Sequence, residues 1–165
     1  MHPARLDRER LLADCEVRRQ RRSGPGGQHR NKVETGIFIQ HLATGLRGEA
    51  TERRSQHQNL ELAVQRLRLR LAVHFRAAVA SQSPSELWQS RLRGQRIEVN
   101  AEHADFPALL AEAMDWLLQF NWDVKLAAEL LLCSPSQLVK LLKREPAAAA
   151  ELNRQRAAIG LKRLI

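Results

Sequence analysis

The sequence predicts an α+β fold: a small mixed sheet carrying a glycine-rich loop and one long packing helix, followed by an all-helical module. Three observations carry that prediction. Residues 36–42 (Gly-Ile-Phe-Ile-Gln-His-Leu) are rich in strand-forming side chains and end at the Thr44-Gly45 turn signal. Leu60, Val64, Leu67, Leu71 and Phe75 recur every three or four positions, the spacing of one buried helix face. From Phe106 onward the pattern is helical throughout, with no further strand signal. The expected organisation is one domain over residues 1–100 and a helical module over residues 101–165.

Taken in order, a charged helical stretch around residues 5–13 precedes an alternating segment, residues 15–21, that reads as a half-exposed strand with a basic outer face. Ser23-Gly24-Pro25-Gly26-Gly27 continues neither strand nor helix: its glycines lose too much backbone entropy on ordering, and Pro25 has no amide donor. A loop is expected there. The strand over residues 36–42 turns at Thr44-Gly45 into a second one over residues 46–51. Ser55 with Gln58 has capping-box spacing and should open a helix running to about residue 80. Leu62, Leu69 and Val73 fall nearly opposite its main apolar face, so a second layer is expected there, most simply the C-terminal part of the chain.

Ser83-Pro84-Ser85-Glu86 breaks that helix and starts a short one, with Ser83 as cap and Pro84 at the first position. Gly94 ends it, and residues 96–100 are compatible with a short strand. Helices follow over residues 107–120 and 123–132. Ser134-Pro135-Ser136-Gln137 repeats the start signal for a helix to about residue 144, and a last helix covers residues 147–158, with Gly160 as its stop. Trp88, Trp116 and Trp122 read as core residues.

Charge separates the two parts. The formal net charge is +9; residues 1–100 hold 19 Lys+Arg against 10 Asp+Glu, and the remaining 65 hold 8 against 8. Of the 27 basic residues 22 are Arg, whose planar donors suit phosphates and bases. A polyanion partner for the N-terminal part follows. Cys15 and Cys133 are the only cysteines, with no CxxC, so neither a disulfide framework nor a thiol metal site is indicated. The charged N-terminus and the absence of a long apolar run predict a cytoplasmic protein without a membrane span.

The segment with chemical content is Ser23-Gly24-Pro25-Gly26-Gly27-Gln28-His29-Arg30-Asn31-Lys32-Val33. Glycines allow close backbone approach to a ligand, and amide N–H groups near Gln28 would be donors for an anion. Arg21, Arg22, Ser23, Arg30, Asn31 and Lys32 surround that point as candidate phosphate contacts. No Walker lysine and no GxGxxG is present, and His29, His41 and His57 lack metal-ligand spacing, so nucleotide-cradle and metalloenzyme readings fail. Chemistry at this loop would come from placing donors and excluding water, with neither metal nor cofactor.

Gly26-Gly27-Gln28 in its Ser-Gly-Pro frame, then Asn31-Lys32-Val33-Glu34-Thr35, His41-Leu42-Ala43-Thr44-Gly45, and Arg54-Ser55-Gln56 with Asn59, together resemble the GGQ catalytic domain of class I peptide-chain release factors and their codon-independent ribosome-rescue relatives. The resemblance covers roughly residues 11–71. It implies a loop that enters the peptidyl-transferase centre of the large ribosomal subunit, contacts its rRNA, and promotes hydrolysis of peptidyl-tRNA. By that resemblance the Gln28 backbone N–H donates to the tetrahedral oxyanion or the departing 3′-hydroxyl. Its side-chain amide admits water and marks Gln28 as a candidate for N-methylation, while Gly26 and Gly27 keep the path free of a Cβ. Ser55 reads as a helix cap, and Gln56 either completes the turn or touches RNA. Asn31 and Lys32 either anchor the loop or contact rRNA. Arg53 and Arg54 sit where the helix dipole disfavours cations, which points to RNA. Arg22 and Arg30 depart from the uncharged pattern of relatives.

At this length the chain is expected to lack the separate stop-codon domain of full release factors. Its last twelve residues are too apolar for the disordered basic tail of short rescue factors. The helices around Ala127-Ala128-Glu129-Leu130 and Leu138-Leu141-Leu142 resemble helix-turn-helix patterning, with Gln137, Lys140 and Arg144 expected on one exposed face. That module could contact ribosomal protein or RNA, or simply pack. Two other functions fit the same residues: a non-hydrolytic ribosome- or tRNA-binding quality-control factor, and a helix-turn-helix regulator.

Overall fold

A computed structural model describes residues 1–20, 35–79 and 81–164. The chain divides into two compact units, one made of Pro3–Leu71 with Met1 and the other of Ala72–Ile165 with His2. The division falls in the last turn of the long helix, whereas the sequence expectation set the join at residues 100–101. Most of the charge excess lies in the first unit: residues 1–71 carry 15 Lys+Arg against 8 Asp+Glu, and residues 72–165 carry 12 against 10.

In the first unit, a 3-10 turn (Pro3–Arg5) leads to helix α1 (Arg8–Ala13), capped by Asp7, whose carboxylate accepts from the Arg10 N–H at 2.9 Å. Strands β1 (Cys15–Gln20), β2 (Gly36–His41) and β3 (Arg47–Ala50) form a sheet in the order β1-β2-β3. Both pairings are antiparallel, so the expected mixed sheet is a meander, the arrangement that a short hairpin connection such as residues 42–46 allows. The edge strand β1 is exposed along nearly its whole length, including Val17, more than the half-exposure its alternation suggested. Its Arg18 is paired with Glu16 at 3.0 Å.

Helix α2 (Gln56–His74) lies against the sheet. Val64, Leu67 and Leu71 of its apolar face are buried with Ile37, Ile39 and Ala50 of the strands, as the spacing predicts. Contact is close at Gly48: a Cβ there would stand 2.1 Å from the Ala63 carbonyl oxygen and 2.7 Å from the Leu67 nitrogen. Leu62 and Leu69, on the second stripe, are half-buried, and Val73 is buried. Arg8 pairs with Glu61, and Arg68 donates to the Ala4 carbonyl at 3.0 Å, fastening the N-terminal segment to the helix.

The second unit is built round α4 (Phe106–Gln119), buried along Phe106 to Leu117. Two acidic residues, one turn apart, fix the segment that precedes it in the chain. Asp115 accepts from the Ala77 N–H at 3.0 Å and pairs with Arg76, whose guanidinium also bonds the Ala72 and Val73 carbonyls. That capping explains why α2 stops at His74 and not near residue 80. Glu112 accepts from the Ser85 N–H at 2.7 Å and from its hydroxyl, so Ser85, not Ser83, caps the short helix α3 (Glu86–Ser90). Trp88 is fully buried, its indole N–H donating to the Leu131 carbonyl at 2.7 Å.

Strands β4 (Leu92–Arg93) and β5 (Arg96–Ile97) form a hairpin about Gly94, which has φ of +58°. Helices α5 (Val124–Leu130), α6 (Pro135–Lys143) and α7 (Pro146–Ala158) complete the unit. Caps from Asp123 and Ser134 open α5 and α6, and Glu145 caps α7 with Pro146 at its first position. The expected shared exposed face of α6 is only partly formed: Lys140 is exposed, Gln137 is half-buried, and Arg144 is half-buried because its guanidinium bonds the Val99 carbonyl. The last residues fold back: the Arg156 Nε donates to the Lys162 carbonyl at 2.9 Å and the Leu164 N–H to Asn153 Oδ1 at 3.0 Å.

Candidate functional site

The glycine-rich segment leaves and rejoins the sheet at one rung, because Gln20 at the end of β1 pairs with Gly36 at the start of β2. That rung is crowded. A Cβ on Gly36 would lie 3.0 Å from the Gln20 carbonyl oxygen and 3.2 Å from Thr51 Cγ2, so glycine serves here by its lack of a side chain. Gly26, Gly27 and Gln28, with Arg21, Arg22, Ser23, Arg30, Asn31 and Lys32, lie outside the described residues. The sites described are the two ends of that segment and the turn beside them.

Thr35, the residue before β2, is held from α2. Asn59, in the first turns of that helix, is completely buried. Its Nδ2 donates to the Thr35 carbonyl at 2.6 Å and to the Arg53 carbonyl at 2.9 Å, and its Oδ1 accepts from the Arg53 N–H at 2.9 Å. Both amide hydrogens and the oxygen therefore bond backbone groups that would otherwise be orphaned. One side chain thus joins the exit of the glycine-rich segment to the bend that carries Arg53 and Arg54. Sequence reading placed Asn59 in a motif without giving it this task.

Arg53 and Arg54 are exposed in that bend, and Gln56 is half-buried at the first position of α2. Ser55 behaves as a cap: its carbonyl accepts from the Asn59 N–H at 3.1 Å, and its hydroxyl receives the Gln58 N–H at the long distance of 3.4 Å. Of the predicted contact residues, the structure therefore brings Arg53, Arg54 and Gln56 together at one helix N-terminus. Two cations at the positive end of the helix dipole are unfavourable for the protein alone, and an anionic partner would offset that cost.

The bend is braced from the other side by Arg66. Its guanidinium donates to the Glu49 carbonyl at 2.7 Å and pairs with Glu52. Glu52 also accepts from the Thr51 N–H at 2.8 Å, and the hydrogen bond from Arg66 leads in pulling its carboxyl down to about 2. Three turns into α2, Arg66 gave no sequence signal for this role, since an exposed helix arginine is ordinarily solvated. In the hairpin, buried His41 bonds the Thr44 hydroxyl through Nδ1 at 2.9 Å, and Gly45 takes φ of +70°, so Thr44-Gly45 is the turn its residues predicted.

Among the described residues no three His, Cys, Asp or Glu side chains cluster as a metal site, and no helix is long and apolar enough to cross a membrane. Burial raises the thiols of both Cys15 and Cys133 to about 11, with Asp14 adding to the effect at Cys15. Neither is poised as a nucleophile.

The chain is similar to known proteins over this region. A family model described as the RF-1 domain matches residues 11–104, more than half of the chain. Peptide chain release factor 1 of Dictyoglomus thermophilum is 36% identical over 85 residues, covering 52% of this chain and 23% of that protein. The protein of the same name from Acidiphilium cryptum is 46% identical over 76 residues, covering 46% and 22%. The mouse protein described as peptide chain release factor 1-like, mitochondrial, is 36% identical over 83 residues, covering 50% and 22%. The chain spans less than a quarter of the length of these relatives. With the ordered motifs of residues 26–59 inside the matched region, the chain belongs to the class I peptide-chain release factor family through its RF-1 domain.

Proposed function

We propose that this protein acts on ribosomes in the cytoplasm as a codon-independent peptide-release factor, hydrolysing the ester of peptidyl-tRNA on ribosomes that have stalled. Residues 1–100 supply the chemistry and residues 101–165 the targeting. The observation that carries this reading is the fixing of the residues on either side of the glycine-rich segment, Gln20 and Gly36 in one rung and Thr35 by Asn59, in a chain whose family match spans Gly26, Gly27 and Gln28.

In this reading the loop reaches the peptidyl-transferase centre, with Arg21, Arg22, Ser23, Arg30, Asn31, Lys32, Arg53, Arg54 and Gln56 against rRNA. Water attacks the ester carbonyl, the bond to the 3′-oxygen breaks, and a proton passes to that oxygen. The Gln28 N–H steadies the oxyanion or the departing oxygen, while its side chain admits water in preference to larger nucleophiles. No protein base is needed, because RNA and substrate supply the acid-base groups. One preorganised donor of this kind is worth on the order of 100- to 1000-fold in rate.

The test is release of a labelled peptide from purified ribosomes, compared between a truncated message and a message with a stop codon in the A site. A codon-independent factor releases on the truncated message without needing the stop codon. Release only at the stop codon would contradict the rescue reading. Binding without release on either would favour a non-hydrolytic factor.

A further inference from the structure

The second unit carries a groove that the release chemistry does not use. It encloses about 670 Å³ between α5, α6, α7 and the returning C-terminal segment. Val124, Val139, Leu161 and Leu164 supply apolar lining. The two leucines remain 40% and 43% exposed, although the returning chain is tied down beside them by Arg156 and Asn153. Apolar surface held open to water in this way favours an apolar occupant.

Charge identifies the kind of occupant. Lys125, Lys140 and Lys143 line the same groove and are exposed, and none has a carboxylate partner among the described residues. The acidic group lining the groove, Asp123, spends its carboxylate on the Lys125 and Leu126 N–H groups at the start of α5. Three ammonium groups without a carboxylate partner among the described residues, set around an apolar lining, match an acidic chain that also brings aliphatic anchors. Nucleic acid fits less well, because among the described residues no aromatic side chain lines the groove for a base to stack on.

We propose that this groove docks an acidic, leucine-bearing segment of a partner protein. The proposal is independent of the hydrolysis reading. The probe is a fluorescent amphipathic peptide of Leu and Glu at helical spacing, titrated by anisotropy against the full chain. Matched peptides carry Gln or Lys in place of every Glu. The acidic peptide is expected to bind about tenfold more tightly than the Gln peptide, since several exposed charge pairs each contribute modestly. Lys140→Glu with Lys143→Glu should transfer the preference to the Lys peptide. Leu164→Glu, at an exposed position, should weaken the acidic peptide while the thermal melt stays unchanged. Equal affinity for the three peptides would overturn the proposal. So would displacement of the acidic peptide by oligouridylate, which assigns the groove to RNA, or self-association abolished by Leu164→Glu, which assigns it to a second copy.

Discussion

The amide of Asn59 donates to the Thr35 carbonyl at 2.6 Å, joining the long helix to the last residue before β2. With its two further bonds to Arg53, this buried side chain ties Thr35, next after the candidate catalytic segment, to the bend that exposes Arg53 and Arg54. Asn59→Ala leaves three backbone groups unpaired, and Asn59→Asp turns a carboxylate oxygen toward two carbonyls. Each should lower stability by about 2–4 kcal/mol. Urea unfolding followed by circular dichroism, read as a midpoint shift at constant slope, checks the value.

Gly48→Ala should be more severe than its size suggests. The added methyl would meet helix backbone at Ala63 and Leu67, which cannot yield as a side-chain tip would. A loss of about 3 kcal/mol is expected. Gly45→Ala is the control: nothing lies within 4 Å of its added Cβ, but φ is +70°, and about 1 kcal/mol should be lost to backbone strain. Thermal melts of the two variants side by side give the comparison.

Much of the fold was legible because local signals agreed with tertiary ones. The strand pattern found β2, the Thr44-Gly45 turn found the hairpin, and the caps at Ser55 and Ser134 found the starts of α2 and α6. Errors arose where a distant residue decided a local question. Periodicity carried α2 to residue 80, but Asp115 takes the Ala77 N–H and Arg76 caps the last carbonyls. Glu112 likewise moved a helix cap from Ser83 to Ser85. At the site, Arg53, Arg54 and Gln56, the candidate RNA contacts, lie in one bend and the helix start that follows it. The Asn59 and Arg66 braces were not readable, because both act on backbone groups that sequence spacing does not reveal.

The Glu52–Arg66 pair gives a pH signature. The folded carboxyl is depressed from 4.5 to about 2, so its contribution is present above about 4.5 and is lost as pH falls toward 2. The stability difference between the wild type and Glu52→Gln should therefore be constant near neutral pH, shrink below 4.5 and vanish near 2. Because both side chains are 46% exposed, that difference should also shrink in high salt. Melting temperatures of both proteins across this range test the sign.

The two thiols should be slow to alkylate. With both raised to about 11, against an ordinary value of 9.0, the thiolate fraction at pH 8 falls about a hundredfold. Iodoacetamide labelling followed by mass spectrometry should show native Cys15 and Cys133 reacting far more slowly than in denaturant.

The central claim is that Gly26-Gly27-Gln28 releases peptide from the ribosome. The direct measurement is the single-turnover rate of peptide release from ribosomes stalled on a truncated message, for the wild type and for Gly27→Ala, with ribosome binding measured in parallel. The account predicts a loss on the order of 100- to 1000-fold in release with binding retained. Equal release by the two proteins would contradict it.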